Sequence, residues 1–113
     1  MEEREYVNEP KELTLEEYVN IINDMDELAV SDPIIHKMIT NSDYKIRFVG
    51  EFVELKIRYG SLHKMIIKHE AGTLGFEPTC DISILEDQAY YMGNYLKTLE
   101  IRAEVENIKL PRI

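Results

Sequence analysis

The sequence has no tryptophan, one cysteine (Cys80), and no apolar run near the roughly 18 residues that span a bilayer. One thiol cannot staple a fold or complete a zinc site alone, which excludes a disulfide scaffold and a zinc module. No charged start followed by an apolar stretch reads as a secretory signal. These absences point to a small protein of a reducing cytoplasm. Alternating apolar and polar residues, the mark of a strand, occur nowhere, nor does an internal repeat or a low-complexity stretch. At 113 residues the chain fits one small domain. A monomer of this size buries only about two-thirds of its unfolded surface, so association would add burial.

Catalytic patterns are missing as well. His36, His63 and His69 are scattered, and His69-Glu70 has no second ligand at helical spacing, so no metal is expected. Cys80 has no histidine partner and is read as a structural thiol. Gly72 and Gly75 are explained by a helix cap and a turn rather than a phosphate loop. The residues do not describe an enzyme, and no cofactor is expected.

Charge is abundant but unevenly spread. The net charge of −9 divides into −9 over residues 1–43, +4 over residues 44–69 and −4 over residues 70–113. So acidic a chain does not suit the phosphates of duplex nucleic acid, which call for a broad basic surface. The basic segment suits a small anion, or simply solvates a helix.

What is present is helical periodicity. Residues 1–13 read as a polar, acidic arm. Thr14-Leu15-Glu16-Glu17 matches a capping box, and Leu15, Tyr18, Ile22 and Met25 predict a helix to about Ala29. Ser31-Asp32-Pro33 breaks it and starts a short helical turn carrying Ile34, Ile35, Met38 and Ile39. Asn41-Ser42-Asp43 offers the next cap. Phe48, Phe52, Leu55, Tyr59, Leu62 and Ile66 then form a heptad seam, predicting a helix of about 43 Å that ends at Gly72. Gly75 and Pro78 make a tip at 73–80. Ile82, Leu85, Ala89, Met92, Leu96, Leu99 and Ala103 predict a matching helix to about Ile108. The expected fold is therefore all-α: a long antiparallel helical hairpin over 43–113, preceded by an acidic arm and a shorter N-terminal helix within 1–42.

Two stripes lie off these seams. Ile46, Val49, Val53 and Ile57, continued by Gly60 and Ile67, form a second apolar stripe on the first long helix. One partner helix cannot cover both stripes, and the N-terminal helix is only half as long, so a homo-oligomer is expected. Gly50 and Gly60 cost about 1 kcal/mol each against alanine in mid-helix, which predicts close backbone approach at both. On the second long helix Ile84, Gln88, Tyr91, Tyr95, Thr98 and Arg102 form a polar–aromatic stripe. Tyrosines can stack on a base and a guanidinium can grip phosphate. The same stripe also fits subunit packing, with Arg102 paired to Glu106.

The run Leu85-x-x-Gln88-x-x-x-Met92-x-x-Tyr95-x-x-x-Leu99-x-x-Arg102 follows Phe76-x-Pro78-Thr79-Cys80, with Glu51, Glu54-Leu55 and Leu62 upstream. Over roughly residues 43–108 this pattern resembles the helical-hairpin domain shared by phage anti-CBASS and Thoeris anti-defence proteins. The resemblance implies a non-enzymatic oligomer, a dimer or a hexamer built from dimers. It implies that cyclic oligonucleotides or cyclic ADP-ribose isomers are sequestered uncleaved in the host cytoplasm, without duplex nucleic acid or membrane as a partner. Thoeris-type members carry a β-sheet before the hairpin, so the helical N-terminus here is closer to the anti-CBASS type. On this reading Gln88, Tyr91, Tyr95 and Arg102, with Phe76 and Thr79 from the tip, line a pocket between chains. Lys56 or Arg58 from a neighbouring helix adds phosphate contacts. The alternative is an acidic oligomeric interaction module that blocks a host protein.

Overall fold

The computed structural model describes residues 12–113, which hold four α-helices and no strand. They are α1 (Leu15–Asp24), α2 (Pro33–Ile39), α3 (Tyr44–Ala71) and α4 (Ile82–Glu106). Most of the acidic arm, residues 1–11, lies outside the described residues.

The local chemistry explains each boundary. Thr14 Oγ1 accepts from the Glu17 amide at 3.1 Å and Glu17 Oε1 accepts from the Thr14 amide at 2.8 Å, so the predicted capping box starts α1. This helix stops at Asp24, five residues short of the expected Ala29. Its last turn has no base, and Asp24, Asp26 and Glu27 would all oppose the negative end of the helix dipole. Asp32 then accepts from the Ala29 amide at 2.7 Å, and Pro33 opens α2 as anticipated. Asp43 caps α3 by accepting from the Lys45 and Ile46 amides. Gly72, at φ 76°, ends it in the left-handed conformation. The end of α4 falls two residues before the predicted Ile108, because Asn107 turns left-handed at φ 59°. The Ile108 amide bonds back to the Ala103 carbonyl at 2.8 Å and the Ile108 side chain is buried.

The two long helices pack as the expected antiparallel hairpin, and the core gathers at its base. There Phe48, Phe52 and Leu55 of the α3 seam share one cluster with Leu96, Leu99 and Ala103 of α4. The opposite side of α3 is covered too. Ile46, Val49 and Val53 belong to the same cluster as Tyr18, Val19 and Ile22 of α1 and Ile35 and Met38 of α2. The first half of the second apolar stripe is thus buried within the chain and needs no other copy. Gly50 shows why glycine is required: a Cβ there would sit 2.8 Å from Met38 Cβ and 3.0 Å from the Ile39 amide nitrogen. The close approach predicted at Gly50 is made by α2. That predicted at Gly60 is not made among the described residues, since none of them lies within 4 Å of where its Cβ would be.

Beyond the base the hairpin projects as a two-helix arm, in a molecule measuring 65 × 33 × 22 Å. After Leu55 only Ile66 of α3 is buried, and no residue of α4 before Leu96 is. Tyr59, Leu62, Leu85, Ala89 and Met92 are half-buried in a seam that no third helix among the described residues covers.

Gly50→Ala is expected to destabilise by about 1–3 kcal/mol through overpacking, outweighing a helix-propensity gain of about 1 kcal/mol. Gly60→Ala, with open space, is expected to stabilise by up to about 1 kcal/mol. Urea denaturation of both variants measures the contrast. Hydrogen exchange should show stronger protection at 46–55 and 96–103 than at 60–71 and 82–92, because the arm lacks buried contacts.

Candidate functional site

On a helix turning about 100° per residue, Ile84, Gln88, Tyr91, Tyr95, Thr98 and Arg102 fall within an arc of about 80°. That arc is centred about 100° from the Leu85–Ala103 seam, so hairpin packing leaves the stripe facing outward. Tyr91 is 67% exposed and Tyr95 44% exposed. Tyr91 meets the Tyr90 ring edge-on at 5.4 Å between centroids. Gln88 is exposed and reaches only Met92 Sδ, at 3.9 Å. The Thr98 hydroxyl donates to the Asn94 carbonyl one turn back at 3.0 Å.

Arg102 is set more firmly. Its guanidinium lies 4.7 Å from the centre of the Phe48 ring, donates to the Tyr44 hydroxyl, and donates to Glu106 Oε2 at 3.5 Å. The Tyr44 hydroxyl in turn donates to Glu106 Oε1 at 2.9 Å. Desolvation alone would lower the Arg102 pKa, but the hydrogen bonds that it donates to Tyr44 and Glu106, with the Glu106 carboxylate charge, outweigh it and hold the pKa above its ordinary value. This group of side chains ties the start of α3 to the end of α4. The Glu106 partner was legible at a spacing of four. Tyr44 and Phe48 were missed, although antiparallel pairing of two matched helices places the first turn of one beside the last turn of the other.

The remaining expected residues divide among separate places. Phe76, 59% exposed, and Thr79 sit at the tip. Along α4 the tip lies about 30 Å from Arg102 at 1.5 Å per residue. Lys56 and Arg58 are two residues apart and so point about 160° from each other. Arg58 shares the Tyr44 flank of α3 and pairs with Glu54 at 3.3 Å. Lys56 lies on the other flank, beside α1 and the C-terminal segment. One chain therefore brings Tyr91, Tyr95 and Arg102 onto one face with Arg58 on the adjoining flank, but does not bring in the tip or Lys56.

The start of α4 is electrostatically tuned. Asp81 Oδ1 accepts from the Ser83 amide at 2.9 Å, and the hydrogen bonds from the Ser83 backbone and side chain hold its carboxyl below the usual range. Cys80 beside it is an exposed free thiol. No group of three or more His, Cys, Asp or Glu among the described residues is placed to hold a metal. No described helix is long and apolar enough to cross a membrane.

These features define a helical hairpin that leaves Tyr91 and Tyr95 on an open face. The sequence pattern of the Sequestin family matches residues 42–105, more than half of the chain, which covers α3, the tip and nearly all of α4. The chain belongs to the Sequestin family of phage proteins that sequester a host signal, and is a binding, non-catalytic protein. No curated protein and no solved structure matches it.

A carboxylate with a lowered folded pKa stabilises the fold above its unfolded pKa, near 3.9, and that stability is lost as pH falls through the folded value. Thermal melts from pH 6 to pH 2 should show Asp81→Ala least stable relative to the parent at pH 6, with the gap closing in strong acid.

Proposed function

We propose that this protein binds and sequesters a cyclic nucleotide immune signal, a cyclic oligonucleotide or a cyclic ADP-ribose isomer, without cleaving it. By withholding the signal from its effector it acts as a phage anti-defence protein against CBASS- or Thoeris-type immunity. The observation that carries this reading is the solvent-facing pair Tyr91 and Tyr95, aligned one turn apart on a helix whose packing needs neither ring. Every base has a face on which such rings can stack, at about 1–3 kcal/mol per base.

The site is proposed to be completed between copies of the chain. With tip and base about 30 Å apart along α4, a second hairpin running antiparallel brings Phe76 and Thr79 of one copy toward Tyr95 and Arg102 of the other. The half-covered arm supports such pairing, because its seam residues would gain a third layer. Arg102 uses part of its five-donor guanidinium on Tyr44 and Glu106 and offers the rest to phosphate. Gln88 lies on the same face to read a polar base edge. Arg58, on the adjoining flank, answers a phosphate by exchanging Glu54 for it. Lys56 faces the other flank and joins such a pocket only from a further copy, as in a hexamer.

Titration calorimetry against a panel of cyclic di- and trinucleotides and cyclic ADP-ribose isomers tests this. One class should bind and be recovered intact by chromatography. Tyr91→Ala and Tyr95→Ala should each weaken binding by about 1–3 kcal/mol while sedimentation shows the same assembly. Absence of binding across the panel would sink the reading. Anti-defence activity that survives Tyr95→Ala but is lost on neutralising the acidic residues before Asp43 would favour an interaction module blocking a host protein.

A further inference from the structure

Gly60 is an unexplained cost in the middle of α3. It has ordinary helical surroundings, nothing within 4 Å of where a Cβ would be, and no left-handed φ to require glycine. Lys56 and Lys64 lie one turn before it and one turn after it on the same flank, so two ammonium groups bracket a bare stretch of helix. Facing them is Arg112, whose own amide is anchored to Asn23 Oδ1 at 2.7 Å just after the buried Pro111. Between these walls lies a cleft of about 470 Å³ that includes Lys56, Gly60, Lys64 and Arg112. Ile22, Met25, Leu28 and Ile57 supply its apolar lining.

Among the described residues none of the three cations is in an ion pair, and Asp26 is the one acidic side chain in the lining. In a chain of net charge −9 three cations without an ion pair line one hollow beside the single carboxylate of Asp26, so the charge of its lining side chains is positive. Lys64 also borders a neighbouring hollow with Glu27 and Asp32. The volume falls within the range of about 300–1,000 Å³ typical of small-molecule sites. Cations at the rim and aliphatic side chains within suit an anion joined to a flat apolar group.

We propose that this cleft is a second ligand site, separate from the tyrosine face, which takes a small organic phosphate of the mononucleotide kind. The phosphate lies over Gly60 between Lys56 and Lys64, where a side chain would bar its approach to the helix, and Arg112 closes on it from the other wall. The apolar part rests on Met25, Leu28 and Ile57, which are half-buried at the cleft. The site does not rely on the tyrosine-face reading and uses none of its residues except Lys56.

The test is binding of AMP, with adenosine as the uncharged comparison, by calorimetry at low and moderate salt. AMP is expected to bind, to weaken as salt rises, and to exceed adenosine by at least tenfold, on the order of 1.4 kcal/mol. Gly60→Leu fills open space without straining the backbone, so the variant should melt no lower than the parent and lose AMP binding at least tenfold. The Lys56→Gln/Lys64→Gln double variant should lose it similarly, whereas Tyr91→Ala should retain it. No AMP binding to the parent overturns the proposal, as does parental binding by Gly60→Leu. A fall in sedimenting mass on Gly60→Leu also overturns it, since the cleft would then be a contact between copies. Loss of AMP binding on Tyr91→Ala with Gly60→Leu unaffected would remove this site and leave the tyrosine-face reading intact.

Discussion

A pair of helices hides only the faces it turns inward, and each helix of this hairpin carries apolar residues on more than one face. At the base the difficulty is solved by the N-terminal segment. The α2 helix comes so near α3 that Gly50 has no room for a Cβ, and this contact lets Ile46, Val49 and Val53 disappear beneath α1 and α2. Along the arm nothing plays that part. The hairpin is consequently a buried foot and a lightly covered shaft, and the exposed Tyr90, Tyr91 and Tyr95 lie on the shaft.

That asymmetry separates two kinds of surface. On one flank Tyr44, Glu54, Arg58, Tyr95 and Arg102 mix aromatic rings with charges already engaged by neighbours. On the other, Lys56, Lys64 and Arg112 have no ionic partner among the described residues and surround a hollow. A guanidinium held by a hydroxyl, a carboxylate and a ring is oriented before any ligand arrives, which reduces the ordering cost of binding. Free ammonium groups on flexible stems act instead as mobile point charges.

Much of the scaffold was legible because its signals are local. The capping box at Thr14, the cap at Asp43, the left-handed Gly72 and both heptad seams all depend on residues within a few positions of each other. The errors came where local signals are weak. The apolar spacing of α1 continues past Asp24, but the acids at its end do not favour helix, and a period count ignores them. Asn107 competes poorly with glycine as a recognised stop, so α4 was drawn two residues long. The candidate stripe was legible as a stripe, whereas its division into groups was not, because spacing on one helix does not reveal what the next helix brings.

The sequence by itself determined that two matched helices form a hairpin with a tyrosine–arginine stripe outside its seam, since helical geometry fixes which residues share a face. Only the tertiary structure decided who covers the second apolar stripe, why Gly50 and Gly60 differ, and what the flanks carrying Lys56 and Arg58 face. It also placed Tyr44 and Phe48 around Arg102. Each of these depends on the approach of segments distant in the chain, and the energy of that approach lies in packing shapes that no single helix contains.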